Sequence, residues 1–132
     1  MPNLNIYLPA GIDEARRHVL LRRVTDVVAE TLAAPVASIR LFLFEVPATH
    51  ICVAGIPLDA AGADADGLAG PTVHAHLVAG RSEASKAAFI EGVSRVLAEV
   101  LDIAVTPVRI MIVDIPNTDF GLGGRTAKAL GR

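Results

Sequence analysis

The order of apolar and polar positions along the chain predicts a strand, a helix and a strand, and then the same order a second time. Short β-prone runs at residues 3–8 and 72–78 each end at an Ala-Gly pair, where glycine favours a turn. Runs dense in Ile, Leu, Val and Phe follow at residues 38–46 and 108–115. Their near-continuous apolarity indicates buried strands of a parallel pair.

Two helices are predicted between these runs, because apolar residues recur there at helical spacing. The apolar positions are Leu20, Val24, Val27, Val28 and Leu32 in the first helix and Phe89, Val93, Val96, Leu97 and Leu101 in the second. Asp13 and Ser82 stand where an N-cap residue is expected. A strand, a crossover helix and a second strand form a right-handed β-α-β unit, so the sequence predicts two such units.

The two units are copies of one another. Residues 2–55 align with residues 71–124 at a constant shift of 69, without a gap, and 16 of the 54 aligned positions are identical. The same register pairs Pro2 with Pro71. Alanine richness alone would not align a proline, a glycine and an arginine together, so the chain is a tandem repeat.

We predict a single α/β (α+β) domain over residues 1–132, with a first unit at 2–58, a linker at 59–70 and a second unit at 71–132. The linker residues are small, acidic and aperiodic. Two units side by side give a four-stranded mixed sheet with two helices on one face. The other sheet face would stay uncovered, which predicts oligomerisation.

Composition narrows the class of protein. Hydrophobic residues make up 52% of the 132 residues but aromatic residues only 4%, which predicts an aliphatic core in one domain. The net charge of −2 offers no bulk attraction to nucleic acid or to an anionic membrane, and no apolar run is long enough to span one. The single cysteine, Cys52, fits a reducing cytoplasm and is expected to be a small buried residue.

Four stretches of the second unit lie at the spacing typical of a known family. They are Pro71-Thr72-Val73, Gly80-Arg81-Ser82, Pro107-Val108-Arg109-Ile110 and Phe120-Gly-Leu-Gly-Gly124. With these stretches the chain resembles the tautomerase superfamily, and the second unit resembles 4-oxalocrotonate tautomerase. The first unit keeps Pro2, Gly11, residues 38–40 and Gly55. The resemblance implies a fused tautomerase with a tautomerase/MIF-like fold, an isomerase that needs no cofactor and assembles as a homotrimer.

The resemblance also implies a site that acts on a small carboxylate substrate. In this family an amino-terminal proline, freed by removal of Met1, is the general base or acid. The family's pocket has an arginine after the first strand, an arginine on the second strand and a phenylalanine after it. The second unit holds Arg81, Arg109 and Phe120 at these positions, whereas the first unit holds Ile12, Arg40 and Ile51.

The two units have kept different parts of that pocket. Pro71 is internal, so its nitrogen is an amide and cannot act as a base, whereas Pro2 can become an amine. In the family the proline of one unit meets the first arginine and the phenylalanine of the paired unit. The resemblance therefore implies that Pro2 meets Arg81 and Phe120, with Arg109 rather than Arg40 expected from a neighbouring chain. Pro2 and the three arginines would be catalytic, and Phe120 and Arg81 would bind substrate.

Two other functions stay open. The dehalogenases and decarboxylases of the same superfamily share the amino-terminal proline, but the dehalogenases carry an arginine where this chain has Val78 and a histidine near Ala29. A non-catalytic trimeric scaffold with a relic pocket is the second alternative, because a retained Met1 would leave Pro2 acylated.

Several residues also have a structural explanation. Arg40 and Arg109 could form ion pairs with Glu45 or Asp114. The glycines at 121, 123 and 124 are typical of a turn or hairpin, since no Lys-Ser/Thr follows as in a phosphate loop. His74 and His76 share a strand face, but no third metal ligand accompanies them, so no metal site is expected.

Overall fold

The computed structural model describes residues 1–60 and 69–132. In chain order the elements are β1 (Asn3–Pro9), α1 (Glu14–Thr31), β2 (Arg40–Val46), β3 (Cys52–Val53), β4 (Ile56–Pro57), β5 (Thr72–Val78), α2 (Glu83–Leu101), β6 (Arg109–Ile115), β7 (Gly121–Leu122) and β8 (Arg125–Thr126). Single 3₁₀ turns lie at Val36–Ser38, Ala48–His50 and Lys128–Leu130. The predicted linker falls mostly on residues 61–68, outside the described part of the chain.

The four long strands form one sheet in the order β2-β1-β5-β6. Within each unit the strands are parallel, with Asn3 opposite Arg40 and Thr72 opposite Arg109. The two units join through antiparallel pairing of β1 with β5, where Asn3 lies opposite His76. The mixed four-stranded sheet predicted from the repeat is confirmed.

The core lies between the sheet and the two helices. Alternate residues of β1 and β5 are buried, because successive side chains of a strand point to opposite faces. The largest fully buried side chains from the strands and helices are Leu4, Ile6, Leu20, Val24, Val28, Val73, Leu77, Phe89, Val93 and Leu97. This core is aliphatic apart from one phenylalanine, as the composition predicted.

Both helices begin after the N-cap residues that the sequence predicted. Asp13 Oδ1 accepts a hydrogen bond from the backbone N–H of Arg16 at 2.7 Å, and Ser82 Oγ accepts one from Ser85 at 3.1 Å. These caps satisfy backbone donors that the first turn of a helix leaves free.

The outer strands differ from the prediction of full burial. One face of β2 and β6 packs on the core, but Phe42, Phe44, Met111 and Val113 on the other face are 55%, 44%, 48% and 48% exposed. The helices cover only one side of the sheet, so the apolar run of each outer strand has a buried side and an open side. Within the single chain, the predicted uncovered face is confirmed.

Three finer predictions are corrected. Arg17 forms an ion pair with Glu45 at 2.7 Å, and Lys86 forms the equivalent pair with Asp114, so Arg40 and Arg109 are not the partners of these carboxylates. Cys52 is exposed because it starts the short β3–β4 hairpin rather than a core strand. The second strand of the first unit begins at Arg40, not at residue 38, because a 3₁₀ turn precedes it.

Candidate active site

The antiparallel register of β1 and β5 brings the start of the chain to the end of β5. Asn3 lies opposite His76, and two residues further out this register sets Met1 level with Val78. A turn then follows, in which Gly80 has a φ of 121°, a conformation that favours glycine. Arg81 comes next, so the pairing of the two units carries its guanidinium to the amino terminus.

A cavity of about 800 Å³ opens at this place. Its lining includes Met1, Arg81, Phe120, Arg40 and Arg132. Pro2, between Met1 and Asn3 of that lining, is fully buried and does not itself belong to the described lining. A volume in this range suits a small-molecule ligand.

Arg81 is half-buried in the wall of the cavity and only partly satisfied. Its Nη1 donates a hydrogen bond to the carbonyl oxygen of Val78 at 2.9 Å. Its Nε is buried and has no acceptor among the described residues. A buried charged donor without a partner is unfavourable, so an anionic group in the cavity would stabilise this side chain.

Phe120 reaches the cavity from the base of a hairpin. The β7–β8 hairpin turns at Gly123 and Gly124, with φ of 59° and 78°, and Ala127 donates its backbone N–H to the carbonyl oxygen of Phe120 at 2.8 Å. The glycine-rich stretch is therefore a hairpin, as predicted, and its half-buried phenylalanine adds an apolar wall.

The amino-terminal amine lies in surroundings that disfavour its charged form. Partial burial lowers the pKa of the Met1 amine, and the positive charges of Arg81 and Arg132 lower it further. Each cause acts in the same direction, because an ammonium is destabilised both by lost hydration and by like charge. The neutral, proton-accepting fraction at neutral pH is correspondingly larger.

Arg40 and Arg109, the first residues of β2 and β6, differ in their relation to the cavity. Arg40 lines the cavity, and its Nη1 donates to the carbonyl oxygens of Ala37 and Ile39 at 2.8 and 2.9 Å. Arg109 does not belong to the described lining; its backbone N–H bonds the carbonyl oxygen of Pro71, just as that of Arg40 bonds Pro2. Each arginine thus lies beside the proline of its own unit.

The equivalent cavity, at the start of the second unit, is much smaller. A cavity of about 100 Å³ lies there, and Gly70, Thr72, Pro9 and Ile51 line it where the large cavity has Met1, Asn3, Val78 and Phe120. Ile12 replaces Arg81 and packs against the core. The two halves therefore differ in both volume and charge.

Sequence reasoning missed one charged residue of the cavity. Arg132 lines it, although this residue lies beyond the aligned part of the repeat and the family-like stretches end at Gly124. Its position depends on the fold of the segment after the hairpin, for which the sequence carries no signal.

The histidine pair is placed as predicted but forms no metal site in the described residues. His74 and His76 share the open face of β5, and the ring of His74 lies 5.1 Å from that of Tyr7. Across residues 1–60 and 69–132, no cluster of three His, Cys, Asp or Glu side chains could hold a metal ion. Neither helix in those ranges is long and apolar enough to cross a membrane.

Comparison with known proteins agrees with this geometry. The family model described as tautomerase enzyme matches the chain twice, at residues 2–61 and 71–129. The chain belongs to the tautomerase family. The 2-hydroxymuconate tautomerase of Stutzerimonas stutzeri is 40% identical over 62 residues, which are 47% of this chain and 98% of that protein. The chain is thus an enzyme of the isomerase class with two family units in tandem.

Solved structures resemble the whole chain rather than one unit. The fused 4-OT called F6, a wild-type asymmetric trimer, is 42% identical, with a TM-score of 0.89 over 98% of this chain and 99% of that one. A native fused 4-OT is 45% identical, with a TM-score of 0.87 over the same shares. The fold and the tandem arrangement predicted from the sequence are confirmed.

We predict that Arg81→Ala raises the pKa of the amino-terminal amine, because it removes a positive charge from beside the ammonium. Nuclear magnetic resonance titration of the amine measures this directly. Arg22→Ala removes an exposed charge on α1, outside the described cavity, and serves as the matched control. Equal amine pKa values in the two variants would contradict the electrostatic account.

Proposed function

We propose that this tautomerase-family enzyme interconverts the enol and keto forms of a small 2-hydroxydienoate or 2-oxo acid, with the amine of Pro2 as general base and acid. The observation that carries the proposal is the shared cavity: the start of the chain, Arg81 and Phe120 meet in about 800 Å³. At Pro71, where the nitrogen is an amide, the cavity is about 100 Å³. The large cavity and its arginines therefore lie at the start of the first unit, whose proline can become an amine.

The chemistry needs a neutral secondary amine near neutral pH. Removal of Met1 would leave the nitrogen of Pro2 as that amine, next to the place that Met1 takes in the cavity lining. Burial, Arg81 and Arg132 lower the pKa of the Met1 amine, and the same causes would act on an amine at Pro2. A base tuned near the working pH is the most effective. The nitrogen takes a proton from the enol hydroxyl and returns it to a carbon of the conjugated chain.

The remaining side chains hold the substrate and its developing charge. Arg81 binds a carboxylate, for which a guanidinium offers bidentate geometry, and its buried Nε supports this role. A second arginine, Arg109 of a neighbouring chain or Arg40, stabilises the oxygen that gains charge as the proton moves. Phe120 excludes water from beside the amine.

The enzyme would work as a homotrimer in the cytoplasm. The open sheet face exposes Phe44 and Met111 together with other apolar side chains, and a face of this kind favours burial against further copies. The similar fused 4-OT F6 is a trimer, which supports the same assembly here.

Dehalogenating or hydrating chemistry is less well supported. Activation of water would use a further arginine at the position of Val78, which is an apolar part of the cavity wall. A structure from the cis-3-chloroacrylic acid dehalogenase family is 21% identical and shares the fold. A relic scaffold is disfavoured because the large cavity keeps a buried, unsatisfied guanidinium nitrogen.

We predict that Pro2→Ala lowers kcat/KM on 2-hydroxymuconate and phenylenolpyruvate about 100-fold or more, the contribution expected of a general base. Pro71→Ala is the matched control and should leave kcat/KM unchanged, because the nitrogen of residue 71 is an amide in both chains. Intact-protein mass spectrometry of the active enzyme should show the loss of Met1. Full activity of Pro2→Ala, or a retained methionine in the active protein, would refute the role of Pro2.

We predict that trimers mixed from two inactive variants show which residues of a site come from one chain and which come from a neighbouring chain. Pro2→Ala mixed with Arg109→Ala should regain activity, because some sites then combine an intact Pro2 with the Arg109 of a neighbour. Pro2→Ala mixed with Arg81→Ala should stay inactive, because both residues come from one chain. Arg40→Ala mixed with Pro2→Ala shows whether Arg40 is the neighbour's arginine instead. Recovery in the Arg81 mixture would contradict the proposed site.

A further inference from the structure

The backbone of Arg132 is fixed at the rim of the large cavity. Its N–H donates to the carbonyl oxygen of Ala127 at 2.9 Å, and its carbonyl oxygen accepts from Asn117 Nδ2 at 3.0 Å. Ala127 is fully buried, so the first of these anchors belongs to the packed interior. Arg132 is exposed and belongs to the cavity lining, so its side chain extends from a backbone that is held at the rim.

The guanidinium of Arg132 differs in its hydrogen bonding from the guanidinium groups of Arg40 and Arg81 in this cavity. Arg40 donates to two backbone carbonyl oxygens, and Arg81 donates to one. The guanidinium of Arg132 has neither a hydrogen bond nor an ion pair among the residues that the structure describes. Within residues 1–60 and 69–132, its five donors therefore have no protein acceptor that would compete with a ligand in the cavity.

The repeat restricts this arrangement to one of its two halves. At the shift of 69, Asn117 aligns with Ala48, and Arg132 lies beyond the aligned residues 71–124. The first unit therefore has no amide side chain at the position of Asn117 and no aligned counterpart of Arg132. Both residues lie in the second unit, which also contributes Arg81 and Phe120 to the large cavity.

We propose that Arg132 is a substrate-binding residue that selects dianionic over monoanionic substrates by binding their second acidic group. This inference deepens the proposed function and rests on it. Arg81 holds the carboxylate at one end of the substrate, and Arg132 meets the other end across the amine. The positive charge of Arg132 also lowers the pKa of the Met1 amine, in agreement with a position of Arg132 near the start of the chain.

The test compares ligands of equal chain length with one and two carboxylates. Adipate and hexanoate are titrated calorimetrically into the full-length wild-type protein and into Arg132→Ala. The variant should bind adipate about tenfold more weakly or worse, the loss expected for a charge-assisted contact, and should bind hexanoate unchanged. Arg132→Lys keeps the charge and should recover part of the adipate affinity, whereas Arg22→Ala should behave as wild type.

Turnover gives an independent readout. Arg132→Ala should raise KM for 2-hydroxymuconate, which has two carboxylates, more than for phenylenolpyruvate, which has one. The acidic limb of the kcat/KM profile should move to higher pH with both substrates, because the amine loses a neighbouring positive charge. Arg132→Gln keeps the shape of the side chain and should match the alanine variant if charge is the cause.

The outcomes distinguish the two proposals. Equal loss of adipate and hexanoate affinity, or no selective loss of adipate, overturns the role of Arg132 even where turnover supports the tautomerase. Selective adipate loss in a protein that converts neither enol acid supports the dianion subsite and refutes the proposed function.

Discussion

The antiparallel pairing of β1 with β5 is the constraint on which the rest of the structure depends. It joins two β-α-β units into one sheet, so that both helices cover a single face and a shared aliphatic core forms. The same register sets the start of each unit at the end of the other unit's first strand. A residue that opens one copy must therefore meet the turn of its partner copy, and Arg81 lies in such a turn.

In the proposed mechanism, this exchange lets a duplicated chain keep one site although each copy has lost part of the family's pocket. Only the start of the first unit can then supply an amine, while Arg81 and Phe120 belong to the second unit. The corresponding positions in the other half hold Ile12 and Ile51, and that half has a much smaller cavity. In the proposed mechanism, apolar residues there would have little functional cost, because the nitrogen of Pro71 is an amide.

Much of this could be predicted from the sequence, because its signals are periodic or repeated. The helices follow from apolar spacing and from the caps at Asp13 and Ser82, and the sheet follows from the gapless repeat. The partners of Glu45 and the place of Arg132 could not be predicted. Both depend on which side chains meet across a turn or after a hairpin, and neither a period nor a motif encodes such contacts.

Covalent labelling tests most directly that each chain has one reactive site, built around Pro2. Bromopyruvate, an oxo acid whose bromide is displaced by amines, would be incubated with Cys52→Ala, which removes the exposed thiol. Mass spectrometry of the intact and digested protein counts and locates the adducts. The account predicts one adduct per chain, on a peptide that begins at Pro2, and slower labelling in Arg81→Ala. Two adducts per chain, or an unmodified amino terminus in the inactivated enzyme, would contradict it.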